Sequence, residues 1–435
     1  MNRSILKLAI PNIISNITIP LLGLVDMILM GHLSSPIYIG AIALGGTIFS
    51  VLYSFFSFLR AGTTGFTAQS YGANNSIEIS YSLYRSVTIA ILAFLLILCT
   101  QKPIARLSLA LLDGSNDVKE LAITYFFVRI WAAPANMLLY CLNGWFIGMQ
   151  NTKIPMAIAI IINVLNIAFS IFFVVAMKQD VVGVALGTVI AQYCGLATAL
   201  VFILTKYSKY LIKVDINILL NINKLKRFFK VNTDLMIRSI LLVLTIAFFT
   251  NQSAKLGDNI LSINMILLQF FYIFSYFTDG FAYAGEALVG KFVGANDKNN
   301  LRCVVIHLFK WGAYICIPFA ILYAVFPTTF VKMISNQTII LEQIRPYYIY
   351  MVLIPIITFA AFLWDGIYIG ATASKAIRNT MIISSIMVFL PMWYILVPVY
   401  SNHGLWIAFL GFMLARGISM TFFAKKHILQ LPNNQ

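Results

Sequence analysis

The sequence is poor in charged residues. Only 10% of its 435 residues are Asp, Glu, Lys or Arg, and 60% are hydrophobic, whereas soluble proteins carry about 25% charged residues. This balance excludes an ordinary soluble protein and is typical of an integral membrane protein with many spans. The net charge of +16 falls between apolar runs and not along one face. Because no nucleic-acid module is visible either, we expect no nucleic-acid partner.

The usual motifs of catalysis and metal binding are also missing. The five cysteines are odd in number, lie inside apolar stretches and form no CxxC pair, which disfavours a disulfide framework or a zinc site. The sequence contains no GxxxxGK[ST] loop for ATP and no HExxH pair. We therefore expect a protein that is not an enzyme, that holds no cofactor and that ATP does not drive directly.

Long apolar runs are abundant. A helix needs about 20 apolar residues to cross the hydrocarbon core, and runs of this length predict helices because the backbone must satisfy its own hydrogen bonds there. Twelve candidate spans lie at roughly 5–31, 38–70, 81–110, 120–148, 153–177, 181–205, 229–253, 259–291, 301–331, 341–370, 377–399 and 403–424. The predicted fold class is therefore an all-α integral membrane protein with twelve transmembrane helices.

Basic residues mark one side of the predicted bundle. The longest polar break, 205–230, carries six lysines and one arginine. The other basic breaks on this side contain Lys153, Lys298, Arg302, Lys375, Arg378, Lys425 and Lys426. The breaks on the opposite side are poor in Lys and Arg, so the positive-inside rule predicts that both termini are cytoplasmic.

The two halves of the sequence resemble each other. Three pairs of identical residues are separated by the same 222 positions: Gly72 and Gly294, Gly144 and Gly366, and Lys153 and Lys375. Six crossings return a chain to its starting side, so this offset predicts two six-helix lobes of the same orientation, related by a pseudo-two-fold axis. We assign 1–206 to the N-terminal lobe, 207–228 to a cytoplasmic basic linker and 229–435 to the C-terminal lobe. Parallel repeats of this kind are typical of transporters that carry substrate between the repeats.

Four stretches together resemble the multidrug and toxic compound extrusion (MATE) family, and within it the DNA-damage-inducible-F branch. They are "NITIPLLGLVDMILMGHL", "FLRAGTTGFTAQSYGANN", "LNGWFIGMQNTKIP" and "TDGFAYAGEALVGKFVGA". The resemblance covers essentially the whole chain. It implies a secondary antiporter of the bacterial inner membrane that exports cationic or amphipathic compounds in exchange for H⁺ or Na⁺ by alternating access. We expect it to work as a monomer in the bilayer. The alternative is a lipid-linked glycan flippase of the same wider superfamily.

Asp26 is a carboxylate inside the first apolar run. At 1.5 Å per residue it lies about 30 Å along a helix that starts near Ile5, and no basic residue lies within a turn of it. A charged residue at the centre of a transmembrane helix costs about 2.5–3.5 kcal/mol. We predict that Asp26 binds the coupling cation; the alternative is a structural role.

Polar residues on two later runs are the predicted partners of Asp26. Asn163, Asn166 and Ser170 share one helical face because they are spaced at i, i+3 and i+7. Thr188, on the following run, is expected at a similar depth. In the family resemblance Asp26, Asn166 and Thr188 match polar site residues, which makes them the ligands we predict for Na⁺. Ser170 stands where many members carry a second aspartate. The alternative for this stripe is hydrogen bonding between helices.

Two prolines, Pro11 and Pro20, interrupt the first run. Proline removes a backbone hydrogen bond and permits a kink. In the family resemblance, Pro11 matches a proline at which this helix is thought to bend. We therefore predict a hinge at these prolines, with a static kink as the alternative.

The remaining charges inside the apolar runs are predicted to form ion pairs or a gate: Arg60, Asp234, Arg238, Asp279, Glu286 and Asp365. Asp234 and Arg238 are spaced at i and i+4, so we expect them to pair. Arg60 and Glu286 both lie slightly inside the cytoplasmic ends of their helices, which makes them a second expected pair. Contact with substrate is the alternative for this group.

Overall fold

The computed structural model of the chain describes residues 1–31, 37–111, 115–219, 221–335 and 337–429, without the side chains of 19–31, 111 and 429. These ranges contain helices and no strands. The long helices are α1 Asn2–Gly31, α2 Ile37–Gly72, α3 Ser76–Cys99, α4 Asn116–Gly148, α5 Lys153–Ala176, α6 Val181–Lys206, α7 Ile222–Lys255, α8 Asp258–Gly294, α9 Lys298–Val325, α10 Arg345–Gly370, α11 Ser374–Tyr400 and α12 Asn402–Ile428. Within the described part, α2 to α12 are eleven helices long and apolar enough to cross a membrane. The prediction of an all-α membrane protein is confirmed.

Two predicted spans are shorter than the sequence suggested. The third apolar run was expected to continue to residue 110, but α3 ends at Cys99 and a separate helix, Gln101–Leu111, follows. The ninth run was expected to reach residue 331, but α9 ends at Val325 and Pro327 starts a short helix that ends at Ile334. Hydropathy does not resolve these breaks because the short helices are themselves largely apolar, and proline suits the first turn of a new helix.

The seventh helix starts earlier than predicted. We expected it to begin at residue 229, whereas α7 begins at Ile222 and includes Lys224, Lys226 and Arg227. The side chain of Asn221 accepts a hydrogen bond from the backbone N–H of Lys224 at 3.2 Å, which caps this helix start. Lysine and arginine are excluded from a hydrocarbon core but are good helix formers in water. Hydropathy therefore places the start of α7 too late.

The internal repeat appears in the backbone as well as in the sequence. After α2 and after α8, Asn74 and Asn296 have positive φ values of 53° and 55°. The next residues cap the following helices in the same way: Asn75 accepts from the backbone N–H of Glu78 at 2.9 Å, and Asp297 accepts from that of Asn300 at 3.0 Å. The hydrogen bond from the Asn300 N–H holds the pKa of the Asp297 carboxyl below its usual value. This cap is therefore present above the usual Asp pKa and is lost only as the pH falls through the lowered pKa.

Matching glycines allow close helix crossings in both halves. A Cβ atom on Gly144 would collide with the carbonyl oxygen of Arg60, and one on Gly366 would collide with the carbonyl oxygen of Ala282. These two crossings, of α2 with α4 and of α8 with α10, are separated by the same 222 positions in both partners. The two halves therefore repeat the same helix packing. Glycine is needed at these crossings because it lets two backbones approach closely.

The chain divides into two compact units. The N-terminal unit is Ile14–Phe228, and the C-terminal unit is Met1–Ile13 together with Phe229–Gln435. The first half of α1 thus belongs to the C-terminal unit: the indole N–H of Trp311 donates to the side chain of Asn2 at 3.3 Å. On α8, a Cβ atom on Gly280 would lie 3.0 Å from the carbonyl oxygen of Ala9. The division of α1 therefore falls two residues after Pro11.

The segment that follows α6 is bonded to α3 inside the N-terminal unit. Ser80 donates to the carbonyl oxygen of Tyr210, and Tyr84 donates to that of Ile212 at 2.9 Å. The hydroxyl of Tyr81 accepts from the backbone N–H of Asp215 at 2.8 Å. One face of α3 therefore supplies hydrogen-bonding partners to the irregular chain at 210–215, whose backbone groups would otherwise need water.

Candidate ion-coupling site

A buried polar cluster joins α5 and α6. The amide nitrogen of Asn166 donates to the hydroxyl of Thr188 at 2.9 Å, and the hydroxyl of Ser170 lies 3.5 Å from the amide oxygen of Asn166. Asn166 and Ser170 are fully buried, and Thr188 is 4% exposed. The structure thus brings together three of the residues that helical spacing and counted depth placed in one layer.

The hydrogen bonds of this cluster leave oxygen lone pairs available. The Thr188 hydroxyl donates to the carbonyl oxygen of Val184, one turn earlier in α6, at 3.0 Å. The hydroxyl oxygens of Thr188 and Ser170 and the amide oxygen of Asn166 each have two lone pairs, of which the hydrogen bonds between described residues use at most one. Neutral oxygens of this kind bind a hard cation or accept the proton of a carboxylic acid.

Close packing of α5 against α6 fixes the position of Ser170. A Cβ atom on Gly187 would lie 2.8 Å from both the backbone nitrogen and the hydroxyl oxygen of Ser170. Directly after this contact, α5 ends in a π-helical turn at Phe172–Ala176. Turns of this type are rare and occur often at functional sites. Gly187 was not among the predicted site residues, since one glycine among many carries no sequence signal of its own.

The same face of α5 contacts α1. The amide nitrogen of Asn163 donates to the backbone carbonyl oxygen of Thr18 at 3.3 Å. Asn163, Asn166 and Ser170 therefore form a continuous stripe that bonds α1 at one end and α6 at the other. Both contacts lie within the N-terminal unit.

The side chains of Asp26 and Pro20 lie outside the described residues. Their backbone belongs to α1, and their predicted roles as ion-coupling residue and hinge stay predictions. Pro11 lies inside the same helix, and its predicted bending is likewise a prediction.

The charged residues of the C-terminal unit pair differently from the prediction. Asp234 bonds Arg378 at 2.6 Å and accepts from the hydroxyl of Ser374 at 2.8 Å, so the predicted Asp234–Arg238 pair is wrong. Arg238 instead forms an ion pair with Asp365 on α10. Spacing along one helix brings Asp234 and Arg238 to the same face, but Asp234 pairs with Arg378 of α11 and Arg238 pairs with Asp365 of α10 instead.

Asp365 lies between two guanidinium groups. Besides Arg238, the fully buried Arg416 of α12 donates to its carboxylate at 2.7 Å. Arg416 was not predicted as part of this group, although it is a lone charge inside the twelfth apolar run. A charged residue inside an apolar run, with no charged neighbour in the sequence, needs a partner from another helix, and this rule would have identified Arg416.

Glu286 and Arg129 are two further charged residues inside the predicted spans. Glu286 is 1% exposed, and its predicted pairing with Arg60 and the predicted role of Asp279 stay predictions. Arg129 of α4, in the N-terminal unit, donates to the hydroxyl of Tyr125 at 2.5 Å and stacks on Phe49, with 4.9 Å from its guanidinium carbon to the ring centre. Aromatic faces stabilise a cation in this way.

Both halves of the chain match one family model, described as MatE, over residues 11–172 and 235–395. The chain belongs to the MatE family. The MatE chain is 33% identical over 431 residues to the DNA damage-inducible protein F of Escherichia coli K12, covering 98% of this chain and 92% of that protein. It is also 23% identical to the multidrug resistance protein NorM of Aliivibrio fischeri, covering 96% and 93% of the two chains.

Solved structures of the family have the same fold. A MATE crystal structure in a bent conformation superposes with a TM-score of 0.87 at 18% identity, covering 99% of this chain and 96% of that one. This confirms the predicted fold class of twelve transmembrane helices in two six-helix lobes. Membership of the MatE family, together with the long apolar helices, makes this chain a multi-pass protein of the inner membrane and a transporter, not an enzyme.

Proposed function

We propose that this MatE protein is a secondary antiporter that exports cationic or amphipathic small molecules in exchange for H⁺ or Na⁺. The observation that carries the proposal is the buried cluster of Asn166, Ser170 and Thr188, on the same stripe that bonds α1 at Thr18. The names of two relatives, multidrug resistance protein NorM and multidrug export protein MepA, support export of small molecules.

Helix geometry supports placing Asp26 at this cluster. Helices α1 and α5 run in the same direction because three crossings, α2 to α4, separate them, and Asn163 bonds the backbone at Thr18. From that contact, Ser170 lies about 10 Å further along α5 and Asp26 about 12 Å further along α1, at 1.5 Å per residue. The acidic residue and the neutral oxygens therefore reach the same level.

The chemistry of the cluster fits either coupling ion. Asp26, Asn166 and Thr188 would supply one carboxylate and neutral oxygens, which suits a single Na⁺. The same oxygens would accept the proton of a neutral Asp26 when H⁺ is the ion. Alternating access then requires that the site takes up its ion from one side of the membrane and releases it on the other, which is the side from which substrate is taken up for export.

The division of α1 between the two units supports a hinge near Pro11. Residues up to Ile13 belong to one unit and those from Ile14 to the other, so a movement between the units has to pass through α1 at this point. Pro11 has no backbone N–H to donate within the helix, which lowers the cost of bending there. Two MATE crystal structures are described as bent.

The topology proposed from the distribution of Lys and Arg places both termini in the cytoplasm. Under this proposal the basic segment after α6 and the starts of α7 and α9 face the cytoplasm. The transporter acts as a monomer, and its partners are the bilayer and its small-molecule substrates, without nucleic acid.

Transport by the purified protein in liposomes tests the proposed function. A cationic dye such as ethidium is placed on one side, and a pH gradient or a Na⁺ gradient is imposed separately. We expect dye movement that follows one of the two gradients and stops when a protonophore or Na⁺ equilibration removes it. Dye movement under neither gradient would contradict the proposal.

Ser170→Asp tests whether Ser170 belongs to the ion site. A second carboxylate beside Asn166 adds a titratable charge to the site, so we expect a shifted pH dependence or an altered number of ions per dye molecule. The measurement is the dye flux in liposomes as a function of pH and of Na⁺ concentration. Ser170→Asn, which has the same shape without the charge, is the matched control. If the dye flux of Ser170→Asp depends on pH and on Na⁺ concentration as that of the wild type does, Ser170 lies outside the site.

Gly187→Ala tests the close packing of α6 against α5. The added methyl group overlaps the backbone and hydroxyl of Ser170, and overpacking of this kind costs about 1–3 kcal/mol. We expect slower dye transport and a lower midpoint of thermal unfolding. The control is Gly46→Ala on α2, where no atom among the described residues lies within 4 Å of the new Cβ. Equal behaviour of the two variants would argue against a packed Ser170.

A further inference from the structure

A polar pocket lies where the end of α2 and the start of α3 meet the start of α7. It has a volume of about 250 Å³ and lies entirely in the N-terminal unit. Three cationic side chains line it, from Arg85, Lys224 and Arg227, together with one carboxylate, from Glu78. We call this site the linker pocket because Lys224 and Arg227 belong to the basic segment between the lobes. Its net positive lining distinguishes it from the neutral ion-coupling cluster.

Among the residues that the structure describes, the cations of the linker pocket are only partly neutralised. Glu78 accepts from Arg85 at 2.5 Å and from Lys224 at 2.6 Å, so one carboxylate serves two cations. Arg227 stands over the ring of Phe66, with 5.8 Å from its guanidinium carbon to the ring centre, and Phe66 stacks on Phe228. This aromatic pair holds Arg227 beside the pocket without neutralising its charge.

Arg85 is the buried member of the set. It is 3% exposed, one end of its guanidinium donates to Glu78, and the other donates to the carbonyl oxygen of Ile218 at 3.2 Å. Its Nε–H is buried and has no acceptor among the residues that the structure describes. A buried donor without an acceptor is costly, and a guanidinium donor is well suited to an anionic oxygen.

We propose that the linker pocket binds a phosphate-bearing anion between Arg85, Lys224 and Arg227. Phosphate oxygens match guanidinium and ammonium donors, and each charge-assisted contact is stronger than a neutral hydrogen bond. Under the proposed topology the pocket opens at the cytoplasmic leaflet, where the headgroups of anionic lipids supply such a phosphate. A free phosphate in the cytoplasm offers the same chemistry. The proposal rests on the structure of the pocket and not on the transport activity.

Native mass spectrometry of the full-length protein tests this binding in detergent, where sidedness plays no part. The protein is mixed with equal amounts of phosphatidylglycerol and phosphatidylcholine, and the retained ratio of the two lipids is measured. The Lys224→Gln/Arg227→Gln variant removes two cations from the lining. The matched control, Lys226→Gln/Lys230→Gln, removes two exposed cations of the same helix that do not line the pocket.

We expect wild type and control to retain phosphatidylglycerol alike, and the lining variant to retain it roughly thirtyfold less, as attraction by two basic side chains implies. Equal losses in both double variants would show diffuse attraction to a basic surface and would overturn the proposal. So would a wild type that does not prefer phosphatidylglycerol and binds no inorganic phosphate.

Inorganic phosphate separates the two sources of the anion. If phosphatidylglycerol stays bound in the presence of millimolar phosphate, the ligand is the lipid headgroup. If phosphate displaces the lipid from the wild type, and the lining variant binds phosphate weakly, the pocket takes the free anion. Both results uphold the phosphate site, and they assign its ligand.

Discussion

Asp26→Asn is expected to abolish dye export driven by an ion gradient while the protein still reaches the membrane and folds. Asparagine keeps the shape of the side chain but neither ionises nor releases a proton, so it cannot alternate between an ion-loaded and an ion-free state. The measurement is dye transport in liposomes under the gradient that drives the wild type. We expect a fall to the level of empty liposomes.

Asp258→Asn is the matched control for this variant. Asp258 lies at the exposed start of α8, so the same chemical change there leaves the site untouched and should leave export near the wild-type rate. Binding of the dye, measured by fluorescence anisotropy, should persist in Asp26→Asn and would show that coupling and not folding was lost. Undiminished gradient-driven export by Asp26→Asn would remove Asp26 from the mechanism.

Asp365→Asn is expected to be the most destabilising of the substitutions considered for the C-terminal unit. The fully buried Arg416 and the partly buried Arg238 both bond this carboxylate. Removing one partner of a buried ion pair leaves an uncompensated charge, which costs about 3–5 kcal/mol. We expect a clearly lower thermal unfolding midpoint in detergent, followed by the loss of monodisperse protein on size-exclusion chromatography.

Two further variants show whether the charge arrangement is the cause. Asp297→Asn makes the same change at a partly exposed helix cap where the first half of the chain already has Asn75, so its unfolding midpoint should equal that of the wild type. Asp365→Leu/Arg416→Met removes the buried carboxylate together with its fully buried partner and should recover part of the loss, because apolar replacement of a buried pair is often tolerated. The partly buried Arg238 still loses its carboxylate in this variant, so recovery should be incomplete. If the Asp365→Asn protein is as stable as the Asp297→Asn protein, the ion pairs of Asp365 do not hold α7, α10 and α12 together.

The sequence predicted helices better than their ends. Apolar runs identify segments that cross a membrane because burial of apolar groups decides that choice. Hydropathy does not detect the break at Thr100, the new helix from Pro327 or the early start of α7 at Ile222, since capping and the geometry of single residues decide them. The glycines of the repeat were informative because close approach of two backbones at Gly144 and Gly366 admits no side chain.

Site residues that share the face of one helix could be predicted from the sequence, whereas ion pairs that involve three helices could not. Asn163, Asn166 and Ser170 follow from helical spacing, and the structure places Thr188 beside them. The pairing of Asp365 with Arg238 and Arg416 requires the rotation of α7, α10 and α12 about their own axes. A single sequence does not contain that information, and the i, i+4 rule therefore selected the wrong partner for Asp234.

The bonded segment after α6 decides where this polypeptide can be cut in two. Because Tyr81 and Tyr84 hold the chain at 212–215 on α3, a fragment that stops at Lys206 leaves these hydroxyls without their backbone partners. A fragment that runs to Leu219 keeps them. Co-expressed halves divided between Leu219 and Ile222 should therefore reassemble more readily than halves divided at the end of α6, although the earlier site looks more natural from hydropathy alone.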